Sequence, residues 1–312
     1  MRIRKIIYVF LLLSLISNVI LYLNYREIST SADQLTFLDP VIAESDLDVF
    51  REFQESYVAS YLLLRKKIDN VLVDAEGNFS IYFEDLDSHT WMGINEREKF
   101  TPASLLKLTV VSTVLKLVEE GKLSLDQKIP IEKEYLNSRF GTLAEDEDSI
   151  LTVKKLIEIT ITKSDNTAAN ALSSLFTHDD WVRTRLGMGT PITTVIQSQK
   201  GNISLSPKQF SGALRSLYVS SYLNRQHSNW ILSLMAHTDF KDEGIPAGVP
   251  PNVPVSHKIG QFDHEKSVHD CAIVYAKKRY ILCIMSRETD LEEGNRVIEE
   301  ISRTVYDHVS KA

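Results

Sequence analysis

Cysteine is nearly absent from this chain of 312 residues: Cys271 and Cys283 are the only two. Two thiols cannot make a disulfide framework or a cysteine-based zinc site, so stability has to come from packing. Net positive charge is lacking too, with 35 basic against 42 acidic residues, −7 in all. Arg2, Arg4 and Lys5 precede an apolar run, and without them the remainder stands at 32 against 42, or −10. That balance excludes a nucleic-acid partner, whose phosphates need a basic surface. His227, His237, His257, His264 and His269 are scattered with no i, i+4 pair, so no metal site is expected, and no cofactor motif is present. With 43% hydrophobic and 25% charged residues, disorder and fibrous repeats are excluded as well. What remains is an ordinary globular chain able to bury a full core.

Residues 6–23 are eighteen consecutive positions without a charge, long enough to span a bilayer. The run closes on Ile20-Leu21-Tyr22-Leu23, without the small residues of a signal-peptidase site, so an uncleaved transmembrane anchor is expected. Basic residues before it and an acidic segment after it place residues 1–5 in the cytoplasm and residues 24–312 outside. No cysteine follows the span to carry a lipid.

Beyond a linker at 24–43 the apolar residues recur at helical spacing through Tyr61, Leu64, Ile68 and Val71, predicting a helix over 44–70. Residues 79–85 and 90–94, joined by a polar turn at 86–89, read as a hairpin. Thr101 and Pro102 then signal a helix start and Gly121 its end. Between them Leu105, Leu108, Val111, Val114 and Leu115 leave almost no polar face, the mark of a buried helix. Further helices are predicted at 153–162, 167–176, 207–223 and 229–237, and a Pro- and Gly-rich loop at 244–254. Strands follow at 255–259, 271–275 and 280–286, and a closing helix over 291–309. Strands at both ends around a helical middle predict one sheet built from both termini, within a single domain over 44–312. A short turn at 277 and 278 sets Cys271 opposite Ile284, which predicts two thiols on opposite faces, core residues and not a disulfide.

The buried helix contains Ser104-Leu-Leu-Lys107. A spacing of three puts serine and lysine on one face, and first-turn N–H groups can hold a developing oxyanion. Lysine is costly to keep charged on such a helix, so burial lowers its pKa toward that of a useful base. Ser104 is thus a candidate nucleophile and Lys107 its activator; a first-turn serine beside a snorkelling lysine is the plain alternative. Ser164-Asp165-Asn166 stands 60 residues on, and Lys258-Ile259-Gly260 ends a strand 94 residues after that.

These three motifs, in this order, resemble the serine β-lactamase and penicillin-binding-protein family, specifically the class A β-lactamases, with S-x-x-K, S-D-N and K-T-G. The likeness covers roughly residues 70–310. It implies an α+β fold, a five-stranded antiparallel sheet flanked by helices plus an all-helical subdomain, with the site between them. By the same resemblance Ser104 is the acylated nucleophile and Lys107 takes its proton, directly or through water. Ser164 relays a proton to the leaving nitrogen, Asn166 binds the substrate amide, and Lys258 supplies charge for Ser164 and for the substrate carboxylate. Backbone N–H groups of Ser104 and Gln261 form the oxyanion hole, and Gly260 completes the third motif. Asp165 is expected to order its loop, and His269, Asp270 and Arg296 to be structural. Tyr135 and Phe140 either wall the cleft or pack at the surface.

Two departures matter. Class A enzymes carry a deacylating glutamate between the second and third motifs, but residues 167–242 contain no glutamate and residues 187–206 no acid at all. Asp179 and Asp180 come early enough to sit on or just after the preceding helix. Ile259 replaces the threonine whose hydroxyl binds the substrate carboxylate. The function implied is a membrane-anchored serine hydrolase, a monomer, acylated by a β-lactam or a peptidoglycan stem-peptide-like substrate, with slow deacylation. The alternatives are a D,D-peptidase-like peptidoglycan enzyme and a non-hydrolytic β-lactam or peptide sensor.

Overall fold

A computed structural model describes residues 50–146, 148–190 and 203–311. The expected membrane span, the linker and the first residues of the expected 44–70 helix lie outside the described residues. The first described helix, α1, runs Phe50–Val73 and is followed by the hairpin β1 (Asn78–Asp85) and β2 (Trp91–Ile94). A 3₁₀ turn, Ala103–Leu106, opens into α2 (Lys107–Glu119). The helical middle holds α3 (Val153–Thr162), α4 (Asn166–Ser173), α5 (His178–Gly187), α6 (Pro207–Tyr218) and α7 (Arg225–Ala236). The chain then returns through a one-turn helix, α8 (Gly244–Ala247). Last come β5 (Val255–Phe262), β6 (Ser267–Val274), β7 (Tyr280–Arg287) and the closing helix α9 (Leu291–Lys311).

The five long strands form one antiparallel sheet in the order β2-β1-β7-β6-β5, so the N-terminal hairpin joins the C-terminal strands as expected. One face is covered by α1 and α9 through Leu64, Ile68, Val297, Ile301 and Val305, all fully buried. The other carries the helical middle, with Leu105, Leu108, Val111, Val114 and Leu115 of the 3₁₀ turn and α2 at its centre. Burial of so many α2 side chains follows from the helix having no polar face to give to solvent.

Sequence periodicity overlooked one helix, a pair of short strands and a one-turn helix. Helix α5 has little apolar patterning and is defined at its start by Thr177, whose side chain forms a capping box with Asp180. Two three-residue strands, β3 (Lys128–Pro130) and β4 (Ile150–Thr152), pair in a separate ribbon, and α8 falls inside the expected 244–254 loop. Asp179 and Asp180 therefore begin a helix of their own.

The cysteines correct the sequence reading. Val274 pairs with Tyr280, leaving a five-residue connection, and Cys271 stands opposite Cys283 while Ile284 faces Asp270. Tyr275 continues the pairing with β5, its N–H donating to Pro254 O at 3.0 Å, and the odd-length connection shifts the β6–β7 register by one, which turns both thiols to the same face. They are joined as a disulfide with Cα atoms 3.9 Å apart. The bond lies in a transverse row of register partners, Gly93, Tyr82, Cys283, Cys271 and Lys258, so it ties β7 to β6, the neighbour of the strand that carries Lys258.

Candidate active site

The turn before α2 is held from both sides. His269 is fully buried; its Nδ1 accepts from Ser286 N–H at 3.1 Å and its Nε2 donates to Thr101 O at 2.9 Å. That pattern fixes a neutral ring, and burial lowers its pKa further. Thr101 does not cap the helix: its hydroxyl donates to Glu265 at 2.8 Å. Across the turn lies Gly260, where a Cβ would meet Pro102 O at 2.9 Å and Leu105 Cγ at 3.1 Å. The glycine of the third motif thus permits the close approach of β5 to the Ser104 turn, bringing Gln261 and Ser104 to one cavity. Ala103, with φ +47°, sits in the left-handed region immediately before Ser104. A side chain there is disfavoured by roughly 1–2 kcal/mol, and such conformations persist where surrounding structure fixes them.

The second motif reaches the same place on a different loop. Asp165 N-caps α4, its Oδ1 accepting from Ala168 N–H at 2.8 Å and its Oδ2 from Leu143 N–H at 2.9 Å. Gly141, at φ +83°, lies so close to this carboxylate that a Cβ would collide with it at 2.0 Å. Asp165 therefore orders the loop, as the sequence suggested, and holds Ser164 in a left-handed conformation at φ +53°.

These supports bring Ser104, Lys107, Ser164, Asn166 and Lys258 together. Lys107 Nζ lies 3.0 Å from Ser104 Oγ, 2.5 Å from Ser164 O, 3.3 Å from Ser164 Oγ and 2.6 Å from Asn166 Oδ1. Four acceptors surround a group that has at most three protons. Burial lowers the Lys107 pKa to about 8, opposed by the Asp165 charge. In the neutral amine, two N–H groups satisfy Ser164 O and Asn166 while the lone pair faces the Ser104 hydroxyl. Lys258 Nζ donates to Ser164 Oγ at 2.8 Å, so that hydroxyl stands between two lysines. Burial, then repulsion from Lys107, push the Lys258 pKa well below its ordinary value, with Asp270 opposing.

A cavity of about 190 Å³ opens over this cluster, lined by Ala103, Ser104, Lys107, Arg139, Phe140, Asn166, Gln261 and Phe262. None of these carries a carboxylate. Phe140 is a wall, whereas Tyr135 is half-buried against the helical core. Ile259 is buried and, by strand alternation, on the opposite face of β5 from Lys258, in register with Asp270. Asp270 binds the equally buried His257 at 3.0 Å, and Arg296 pairs with Glu293 and Glu300 on exposed turns of α9. Three participants escaped the sequence reading: Ala103, Arg139, and Asn137, whose Oδ1 accepts from Asn166 Nδ2 at 3.1 Å. Ala103 adjoins the first motif, whereas Asn137 and Arg139, 27 and 25 residues before Ser164, carried no local signal.

A first-turn serine with a depressed lysine, between a helical layer and an antiparallel sheet, is the equipment of an active-site serine hydrolase. The chain belongs to the beta-lactamase enzyme family, whose profile matches residues 63–309. It is 24% identical over 258 residues to beta-lactamase SME-1 of Serratia marcescens, covering 76% of this chain and 86% of that protein. It is 21% identical to beta-lactamase VEB-1 of Pseudomonas aeruginosa, covering 78% and 90%. Among solved structures, PBP-A superposes with a TM-score of 0.72 at 23% identity, over 80% of this chain and 96% of that one. A beta lactamase from Xanthomonas campestris gives 0.71 at 21%, over 79% and 97%. The α+β fold with its five-stranded sheet is the β-lactamase fold.

Proposed function

We propose that Ser104 is acylated by a β-lactam or a D-Ala-D-Ala-like peptide and that the acyl group leaves slowly. The observation that carries this reading is Lys107 Nζ, its pKa drawn down by burial, 3.0 Å from the Ser104 hydroxyl. In this reading Lys107 takes the Ser104 proton, Ser164 relays a proton to the departing nitrogen, and Asn166 binds the substrate amide. The Ser104 and Gln261 N–H groups hold the oxyanion. An incoming carboxylate offsets the repulsion between the two lysines and favours the charged form of Lys258. A mutant of PBP-A, solved as an acyl-enzyme complex with penicillin G, supports the acyl step for this fold.

Slow release is supported by what lines the site. Among the described residues, none that lines the cavity carries a carboxylate; Asp263 stands at its mouth with its carboxylate held by Arg139, and residues 187–206 contain no acid, so the lining itself supplies no carboxylate to activate water. That favours a D,D-peptidase-like acceptor or a sensor over rapid hydrolysis. The domain, 44–312, stands outside the membrane on the anchor at 6–23, and a disulfide suits an oxidising compartment. A time course of penicillin consumption beside adduct mass tests this: adduct should form within minutes and persist after free drug is removed. Steady turnover with no accumulating adduct would contradict slow release.

A further inference from the structure

The cavity mouth has two lips that come from distant parts of the chain. One is the segment before the second motif, residues 137–140. The other is the end of β5 and the turn Asp263–Glu265. Arg139 Nη2 donates to Asp263 Oδ2 at 2.5 Å, joining the lips across 124 residues of sequence. Arg139 and Phe140 line one side of the cavity, Gln261 and Phe262 the other, so the ion pair spans the opening.

The Arg139 lip is wired to the reacting groups. Its backbone N–H donates to Asn137 Oδ1 at 3.1 Å, and the same oxygen accepts from Asn166 Nδ2 at 3.1 Å. Asn166 N–H donates to Phe140 O at 3.0 Å, and Asn166 Oδ1 accepts from Lys107 at 2.6 Å. In the reading above Asn166 binds the acyl amide, which puts Arg139 beside the substrate's acyl side chain.

The charges suggest what opens the mouth. Of the cavity-lining residues only Lys107 and Arg139 are cationic, and Lys107 is buried among four acceptors. The side chains of Arg139 and Asp263 are 53% and 77% exposed, so solvent screens their pairing and it opens at little cost, as a recurrent gate requires. A substrate with a carboxylate on its acyl side chain replaces Asp263 and leaves the guanidinium with an equivalent partner. A neutral side chain breaks the pair and returns nothing.

We propose that Arg139 and Asp263 form a latch across the cleft, opened by exchange of Asp263 for a substrate carboxylate, so that the site selects acyl donors carrying a carboxylate on the acyl side chain. This rests on the proposed function. The test uses the full-length chain with benzylpenicillin and its α-carboxy analogue, which differ by that one group. Binding to Ser104→Ala, which cannot be acylated, should favour the carboxy analogue ~3- to 10-fold. Adding Arg139→Gln should abolish the preference, and Asp263→Asn should raise affinity for benzylpenicillin. Hydrogen exchange in residues 137–140 and 261–265 should quicken in Asp263→Asn and stay unchanged in Ser104→Ala alone. Equal binding of the two compounds, or a preference that survives Arg139→Gln, overturns the carboxylate exchange, and unchanged hydrogen exchange overturns the latch. Acylation of the unmodified chain by benzylpenicillin separates failure of this proposal from failure of the hydrolase reading, because it should occur whether or not the latch exists.

Discussion

In the proposed function Lys107 is the base, and its placement makes three predictions. Replacing it with alanine should slow acylation by at least about 10²-fold, the typical contribution of a positioned base. Because only the neutral amine can take the Ser104 proton, the acylation rate should climb with pH through a midpoint near 8 and level off above it; a flat profile from pH 6 to 9 would remove Lys107 as the base. Stability carries the same signature. A lysine whose folded pKa is lowered binds fewer protons than the unfolded chain between about 8 and 10.5, so stability should rise with pH through that window. Lys258 is shifted the same way. Urea midpoints at pH 7.5 and 10, compared with Lys107→Met, isolate the increment. At this scale the structure gathers Ser104, Lys107, Ser164, Asn166 and Lys258 into one cluster; the Ser104–Lys107 spacing was legible as a local helix pattern, and the other three were named through the family resemblance. Ala103, Asn137 and Arg139 were hidden because their importance comes from backbone angle and from contacts with residues far along the chain.

Between elements, the close approach of β5 to the Ser104 turn is the joint on which the site depends. Gly260→Ala would place a Cβ 2.9 Å from a backbone oxygen that has no flexible side chain to yield. Loss of about 1–3 kcal/mol of stability is expected from such overpacking. Acylation should fall further than stability does, since the shift displaces the Gln261 N–H from the Ser104 N–H. Equilibrium unfolding and acylation rates on the same variant check both, and a variant with wild-type acylation would break the link between strand approach and oxyanion hole. Element types were readable from the sequence wherever apolar periodicity was strong, as in residues 153–162, which form a helix with the expected bounds. Helix α5 lacked that pattern and was missed. The β6–β7 register failed for a different reason: one residue of loop length decides which face every side chain takes.

Across the whole molecule, the sheet assembled from both termini encloses the helical middle, and the disulfide ties its two central C-terminal strands. With twelve residues separating the cysteines, chain-entropy reasoning gives the bond about 3 kcal/mol. Replacing Cys271 and Cys283 together by alanine should lower the denaturation midpoint accordingly, while the native chain resists alkylation until it is reduced. Equal midpoints would mean that hydrogen bonding and burial alone hold the row that ends at Lys258. The fold itself could be anticipated because the three motifs resemble a family with that architecture, and the order of strand and helix signals is compatible with it; the disulfide could not, since it depended on one register. The account turns on Ser104, and the most direct measurement is peptide-resolved mass spectrometry after exposure to a penicillin. An adduct confined to the peptide containing Ser104, absent from Ser104→Ala, is the predicted result. An adduct on another residue, or none while the drug is consumed, would contradict it.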